Sequence, residues 1–168
     1  VFSRALARAK RGFTLVEVLV VIAILAIAAT VATVAIARDE RGIALREAKR
    51  LGAALEYAAQ RAQWRSETLG VSAQGTVVRF WRRDEASAHW LALDGDDVLE
   101  AHVMPDEFFA APVSYAGQTV AANAILPFRA SGRNEPYTIA IASPGYRVLL
   151  VADPLNRVAI DGPAARAP

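Results

Sequence analysis

Few side chains in this 168-residue sequence could do chemistry, and their spacing decides what kind. There are two histidines, His89 and His102, and no cysteine. Without cysteine there is no disulfide, thiolate zinc site, iron–sulfur cluster or thiol nucleophile. Neither histidine sits in a His-Glu-x-x-His pattern, and no Gly-x-Ser-x-Gly is present. Gly70, Gly75, Gly95 and Gly117 are too far apart to cradle a phosphate. Asp94-Gly95-Asp96-Asp97, with Glu100 close by, could supply some of the oxygens calcium needs. The stretch lacks the alternating spacing of a calcium loop, and a hairpin turn accounts for it. Arg79, Arg82 and Arg83 interleave with Phe80 and Trp81, a mixture that can track a nucleic-acid backbone and stack bases. Asp84 and Glu85 come directly after, however. Strand alternation would put Arg79 and Trp81 on one face and Phe80 and Arg82 on the other, as in an ordinary half-buried strand. That leaves Glu17, the one charge in the apolar run 13–37. A carboxylate inside a bilayer costs about 2.5–3.5 kcal/mol on insertion scales, and such residues mark function. The expectation is no catalysis, no cofactor and no metal, with Glu17 as the residue that matters.

Hydropathy and charge decide where Glu17 is placed. The run 13–37 contains no Pro and no Gly. As a helix its 25 residues would rise about 37 Å, more than a bilayer core of about 30 Å. A transmembrane helix over 13–37 is the expectation. Arg4, Arg8, Lys10 and Arg11 precede it with no acid among them. They should stay cytoplasmic, which sends the chain beyond the span to the other side. A secretory signal cleaved after Ala26-Ile27-Ala28 is the competitor. The apolar run continues well beyond Ala28, and a signal gains nothing from Glu17. The net charge of +2 conceals the asymmetry: without the four leading bases the balance is 15 bases against 17 acids. The body is therefore slightly acidic and no obvious nucleic-acid binder.

Beyond the run, 38–66 reads as an amphipathic continuation of the helix. Ala44, Ala48, Leu51, Leu55, Ala58 and Ala62 recur at spacings of three and four and form one face. That stripe should pack under a sheet, with Arg46, Glu47, Lys49, Arg50, Glu56 and Arg61 on the solvated remainder. Gly42 could mark a flexible point. From 67 to 162 the texture is that of a β-rich globular domain. Strands are predicted over 69–73, 76–82, 90–94, 98–103, 125–128, 137–142, 147–151 and 157–160. Residues 104–124 read as a loop excursion. Turns are expected at Gln74-Gly75 and Pro144-Gly145. Residues 163–168 read as a disordered tail.

Lys10-Arg11-Gly12-Phe13-Thr14-Leu15-Val16-Glu17 resembles the processing signal of type IV pilins and type II secretion pseudopilins. The resemblance implies that residues 1–12 are a basic leader peptide. A membrane prepilin peptidase would cut after Gly12 and methylate the amine of Phe13. Gly suits such a site because an extended backbone without a side chain can enter a narrow cleft. Glu17 would then compensate the new amine of Phe13, its own or a neighbour's, and set register in an assembly. The implied fold is α+β and type IV pilin-like: a long N-terminal transmembrane and amphipathic helix packed on small antiparallel β-sheets.

Within that family the C-terminal half resembles the minor pseudopilins of the GspH type and the related FimT. The likeness rests on Ile125-Leu126-Pro127-Phe128-Arg129-Ala130-Ser131-Gly132 and Glu135-Pro136-Tyr137-Thr138-Ile139. It implies a structural subunit of the type II secretion pseudopilus, helping form its tip and support export across the outer membrane. The implied place is the bacterial inner membrane, single-pass, with the C-terminal domain in the periplasm. Implied partners are the prepilin peptidase, other minor and major pseudopilins, and the inner membrane. Nucleic acid is not expected among them. The alternative is a FimT-like type IV minor pilin that binds DNA in transformation. Its basic C-terminal region would have only Arg147, Arg157 and Arg166, set among Asp153 and Asp161.

Overall fold

The computed structural model describes residues 15–165. The chain divides into two compact units, Val1–Ala37 and Arg38–Pro168, and each is described by itself. Helix α1, Leu15–Trp64, contributes to both.

In the second unit α1 does what its spacing predicts. Ala44, Ala48, Leu51, Leu55, Ala58 and Ala62 are all buried, none more than 5% exposed. Ala54 and Ala59 widen the stripe. The helix ends at Trp64, two residues before the expected boundary. Ser66 adopts a left-handed φ of 51°, and the Glu67 amide reaches back to the Ala62 carbonyl at 3.1 Å. That geometry satisfies carbonyls that the last helical turn leaves open.

Ten strands come after it among the described residues: β1 Leu69–Gln74, β2 Val77–Arg83, β3 Trp90–Ala92, β4 His102–Val103, β5 Phe109–Tyr115, β6 Gln118–Thr119, β7 Leu126–Phe128, β8 Tyr137–Ala142, β9 Tyr146–Ala152 and β10 Val158–Ala165. They form two antiparallel sheets. One runs β3-β2-β1-β7, with β4 also on β2; the other runs β10-β9-β8-β5-β6. A bridge between Gly75 and Ala110 links them. The inward side chains of both sheets and the α1 stripe share one core, with Leu69, Val71, Phe80, Phe128, Tyr137, Ile139 and Leu150 among its largest members. Phe128 meets Tyr137 edge-to-face at 5.8 Å, a favoured aromatic geometry.

Several expectations need correction. The stretch 98–103 is not one strand. The Asp96 carboxylate accepts from the Val98 and Leu99 amides at 2.9 and 3.0 Å, which folds a turn there and leaves only β4. The excursion 104–124 contains β5 and β6. Pro112 disguises β5, since proline cannot donate to a ladder; it sits at a register shift between Pro112 and Ser114, where the donor is not needed. The tail does not begin at 163. β10 shifts register between Asp161 and Ala164 and then pairs Ala164 with Arg147 and Ala165 with Tyr146. Gly162, at a φ of 105°, supplies the backbone conformation that the irregularity needs. Residues 166–168 lie outside the described residues, as does the leader over 1–12.

The charged residues of α1 depart most from a simple solvated face. Glu40 accepts the Gly145 amide at 2.9 Å in the β8–β9 turn. Glu47 pairs with His102 on β4 at 2.7 Å. Glu56 accepts the Val158 amide of β10 at 2.8 Å. Arg61 binds Glu67 at 3.0 Å and also Asp96. Four ionic side chains thus tie the helix to four separate places in the β-domain.

Candidate assembly site

The first unit presents the opposite surface. From 15 to 30 every side chain of α1 is exposed. Leu15, Val16, Val18, Leu19, Val20, Val21, Ile22, Ile24, Leu25 and Ile27 are between 44% and 82% exposed. Fully burying an aliphatic side chain of this size is worth about 1.5–3 kcal/mol. A helix apolar on all sides belongs inside a protein assembly or a membrane, because water would surround it at a large cost. The Thr30 hydroxyl donates to the Ala26 carbonyl at 2.9 Å, so this polar group is partnered within the helix.

Glu17 stands in the first turn of α1, where its charge complements the positive end of the helix dipole. Gly12 and Phe13, the expected processing residues, lie outside the described residues. So does part of the expected span 13–37. Among the described residues no helix is long and apolar enough to cross a membrane. The exposed run 15–30 would by itself rise only about 24 Å, against about 30 Å of hydrocarbon.

The other candidates are resolved residue by residue. Asp96 is committed to Arg61 and two amides. Its burial pushes the carboxyl up, but those amides and the guanidinium outweigh it and hold the group below the usual carboxylate range. His89 is exposed in the loop before β3, and His102 is held by Glu47. Phe80 is buried, so it cannot stack on a ligand. Arg79 lies over Trp81 at 5.7 Å, and Arg83 over Trp90 at 6.0 Å, on the outer face of β2 and β3. The indole of Trp81 donates to Ser72 at 2.8 Å. Arg157 is bound by its neighbour Asp153 at 2.6 Å, and Arg147 is exposed.

The family described as the prokaryotic N-terminal methylation motif matches residues 7–33, which include Gly12, Phe13 and Glu17. Among solved structures, the minor pseudopilin EpsH from the type 2 secretion system of Vibrio cholerae is 15% identical, with a TM-score of 0.58 over 74% of this chain and 99% of that one. Escherichia coli GspH is 18% identical, with a TM-score of 0.56 over 74% and 91%. The fold is type IV pilin-like. The Pseudomonas aeruginosa type IV minor pilin FimU shares it at 20% identity, with a TM-score of 0.51 over 76% and 95%. No curated protein matches the sequence. The chain thus joins a methylation motif to the pilin-like fold of the GspH-type minor pseudopilins, and the α+β architecture expected from the sequence is the one found. Sequence reasoning missed the inward acids of α1. Their partners lie 55 to 105 residues away, and nothing near Glu40, Glu47 or Glu56 signals them.

Proposed function

We propose that this chain is a GspH-type minor pseudopilin, a structural subunit of a type II secretion pseudopilus and not an enzyme. The observation that carries the reading is one helix, α1, that leaves a methylation motif, exposes apolar side chains all round over 15–30, and then becomes the spine of a pilin-like domain. In this reading a prepilin peptidase removes residues 1–12 after Gly12 and methylates Phe13. The apolar run spans the inner membrane over 13–37, and the body lies in the periplasm. After assembly, the same run packs against the helices of other pseudopilins near the filament tip, in support of export across the outer membrane. Glu17 compensates the Phe13 amine and fixes the stagger between neighbours.

Intact-mass measurement of the membrane-extracted protein tests processing. A chain that begins at methylated Phe13 is expected. One that retains residues 1–12, or starts after Ala28, would sink the reading. Glu17→Ala should still insert in the membrane, and insert better, because a costly charge is gone. It should lose co-purification with other pseudopilins; unimpaired co-purification and secretion would remove Glu17 from the assembly role.

The second reading is a DNA-binding minor pilin. The two Arg–Trp stacks on the outer face favour it, since guanidinium and indole planes suit a single strand. Gel retardation at several stated salt concentrations separates the two readings.

A further inference from the structure

Three concavities share walls at Pro154, in the loop between β9 and β10, and form one groove beside the C-terminal end of α1. The first, about 690 Å³, is lined by Arg129, Ser131, Arg133, Asn134 and Glu135 of the β7–β8 loop. The second shares Ser131 and Arg133 with it and adds Gln63 of α1, Leu155 and Arg157. The third, about 550 Å³, is mostly apolar, with Pro136, Val151 and Ala159 in its wall.

A buried amide pair locks the two loops together. Asn134 and Asn156 are only 4% and 5% exposed. The Asn134 side chain accepts the Arg129 amide at 2.7 Å and donates to the Asn156 side chain at 2.7 Å. Asn156 in turn donates to the Gly132 carbonyl at 3.1 Å. The backbone amide of Asn134 donates to the Pro154 carbonyl at 3.2 Å. Buried amides engaged in this way hold loops in one arrangement, and a preformed site loses less freedom on binding. Charge along the groove is uneven. Arg157 is taken by Asp153. Arg129 and Arg133 are exposed and join no ion pair among the described residues. Glu135, on the same wall, is exposed as well. One end therefore offers two guanidiniums to an anion, and Glu135 and Asp153 limit how much negative charge can accompany it. The remainder offers apolar surface, with Leu155 65% and Val151 40% exposed.

We propose that this groove binds the C-terminal end of a different protein, with the terminal carboxylate held by Arg129 and Arg133 and the last aliphatic side chains against Val151, Leu155 and Ala159. The proposal goes beyond the assembly role: it concerns what the body holds, not how its helix packs. A guanidinium suits a carboxylate because its planar donors match the two oxygens. Capture of a terminal carboxylate beside pockets for the preceding side chains is a recurring form of peptide recognition. A chain end brings one negative charge at the tip of an apolar run, which is what this groove admits. A nucleic-acid strand brings a charge with every nucleotide, and would meet Glu135 and Asp153 while leaving the apolar end uncovered.

The test uses the full-length chain in detergent and an array of labelled peptides. Their last three positions run through the aliphatic and aromatic residues, and each peptide is made with a free carboxylate and with a terminal amide. Selective binding of some free acids is expected, with the matching amides about tenfold weaker, the size of one hydrogen bond to a charged group. Arg129→Gln with Arg133→Gln should abolish the preference for acid over amide, so that both forms bind alike and weakly. Arg129→Lys with Arg133→Lys should keep part of that preference. Leu155→Ser should weaken acid and amide by the same factor. All three side chains are exposed, so the variants should melt with the native chain. An array in which no free acid outbinds its amide overturns the proposal, as does a preference that survives the double Gln variant. An amidated peptide with an internal aspartate that binds as well as the free acids moves the carboxylate from a chain end to a side chain, and overturns it too. Retardation of a single-stranded oligonucleotide by the native chain, lost in the double Gln variant, assigns the groove to nucleic acid instead. None of these readouts needs a filament, so their failure leaves the assembly reading standing.

Discussion

Over 15–30, α1 exposes ten large aliphatic side chains; over 44–62 it buries six alanines and two leucines and exposes bases. The backbone conformation is the same in both stretches, so secondary structure is not what separates them. The difference is where the apolar surface finds its cover. The later stretch is Ala-rich on one stripe, which lets the helix lie close to a double sheet, and its acids reach past the stripe to fixed donors. The earlier stretch has branched side chains on every side and, among the described residues, no partner element in its own unit. An apolar surface of that kind suits lipid or packing against other helices. One stretch stabilises the fold and, in the function proposed above, the other serves assembly; mutations should divide along the same line.

The sharpest break in that division is a matched pair, Leu55→Asp and Ile22→Asp. Leu55 is fully buried, whereas Ile22 is 60% exposed. Truncating a packed leucine costs about 2–5 kcal/mol, and an unpaired buried carboxylate adds to that. Against a total stability of about 5–15 kcal/mol, Leu55→Asp should unfold the body. Ile22→Asp should leave the body's stability within about 0.5 kcal/mol of the native chain and instead impair membrane retention. Thermal melts of full-length protein in detergent, with membrane fractionation, read both effects. Equal melting temperatures for Leu55→Asp and native chain would mean that the stripe is an interface rather than a core.

Next in size is Arg61→Met. The guanidinium compensates Glu67 and Asp96, whose side chains are only 17% and 14% exposed. Removing it strands two largely covered carboxylates, and a loss of about 2–3 kcal/mol is expected from chemical denaturation. A loss below about 0.5 kcal/mol would show the cluster to behave as a surface pair.

These two predictions draw on different amounts of sequence information. The stripe from Ala44 to Ala62 is readable because helical spacing is local, and β1, β2, β8 and β9 lie close to their predicted bounds for the same reason. The Arg61 cluster is not readable, because Asp96 is 35 residues away. Arg61 and Asp96 have ordinary alternative accounts in the sequence, a solvated face and a hairpin turn. Pro112 disguises β5, and Gly162 and Pro163 disguise the end of β10, since such residues usually interrupt strands. Of the expected site residues, Glu17 is found in the first turn of α1, while Gly12 and Phe13 rest on the motif alone.

A smaller effect concerns pH. The folded-state carboxyl of Asp96 lies below its ordinary value despite burial, because of the Leu99 and Val98 amides and Arg61. Its contribution is fully present above the unfolded value of about 3.9 and is lost as pH falls through the folded value. Asp84 and Asp153 are lowered as well, by bonds from Ser87 and from Arg157 respectively. The native chain should therefore lose stability below about pH 4. Asp96→Asn should show a shallower loss in the same range, and coincident pH profiles would show that Asp96 adds nothing.

The smallest expected change has the opposite sign. Gly52 lies in the middle of the buried stripe, and the periodicity passes over it. Glycine inside a helix costs about 0.5–1 kcal/mol relative to alanine, because the unfolded chain has more freedom to lose. A glycine here is required only if a methyl group would not fit, and the space decides the matter. A Cβ at Gly52 would stand 3.6 Å from Val158 and 3.7 Å from Leu150, ordinary van der Waals contact. Gly70 is the counterexample: a Cβ there would come within 2.6 Å of Ile125 and 2.9 Å of Trp90. Gly52→Ala should therefore stabilise the body by about 0.5–1 kcal/mol, and Gly70→Ala should destabilise it by about 1–3 kcal/mol through overpacking. Denaturation midpoints of the two variants should move in opposite directions from the native value. If Gly52→Ala also destabilises, α1 and the β9–β10 pair leave no room for a methyl group. The helix–sheet contact would then be set by glycine, and the Ala-rich stripe would not by itself explain how the second half of the helix is covered.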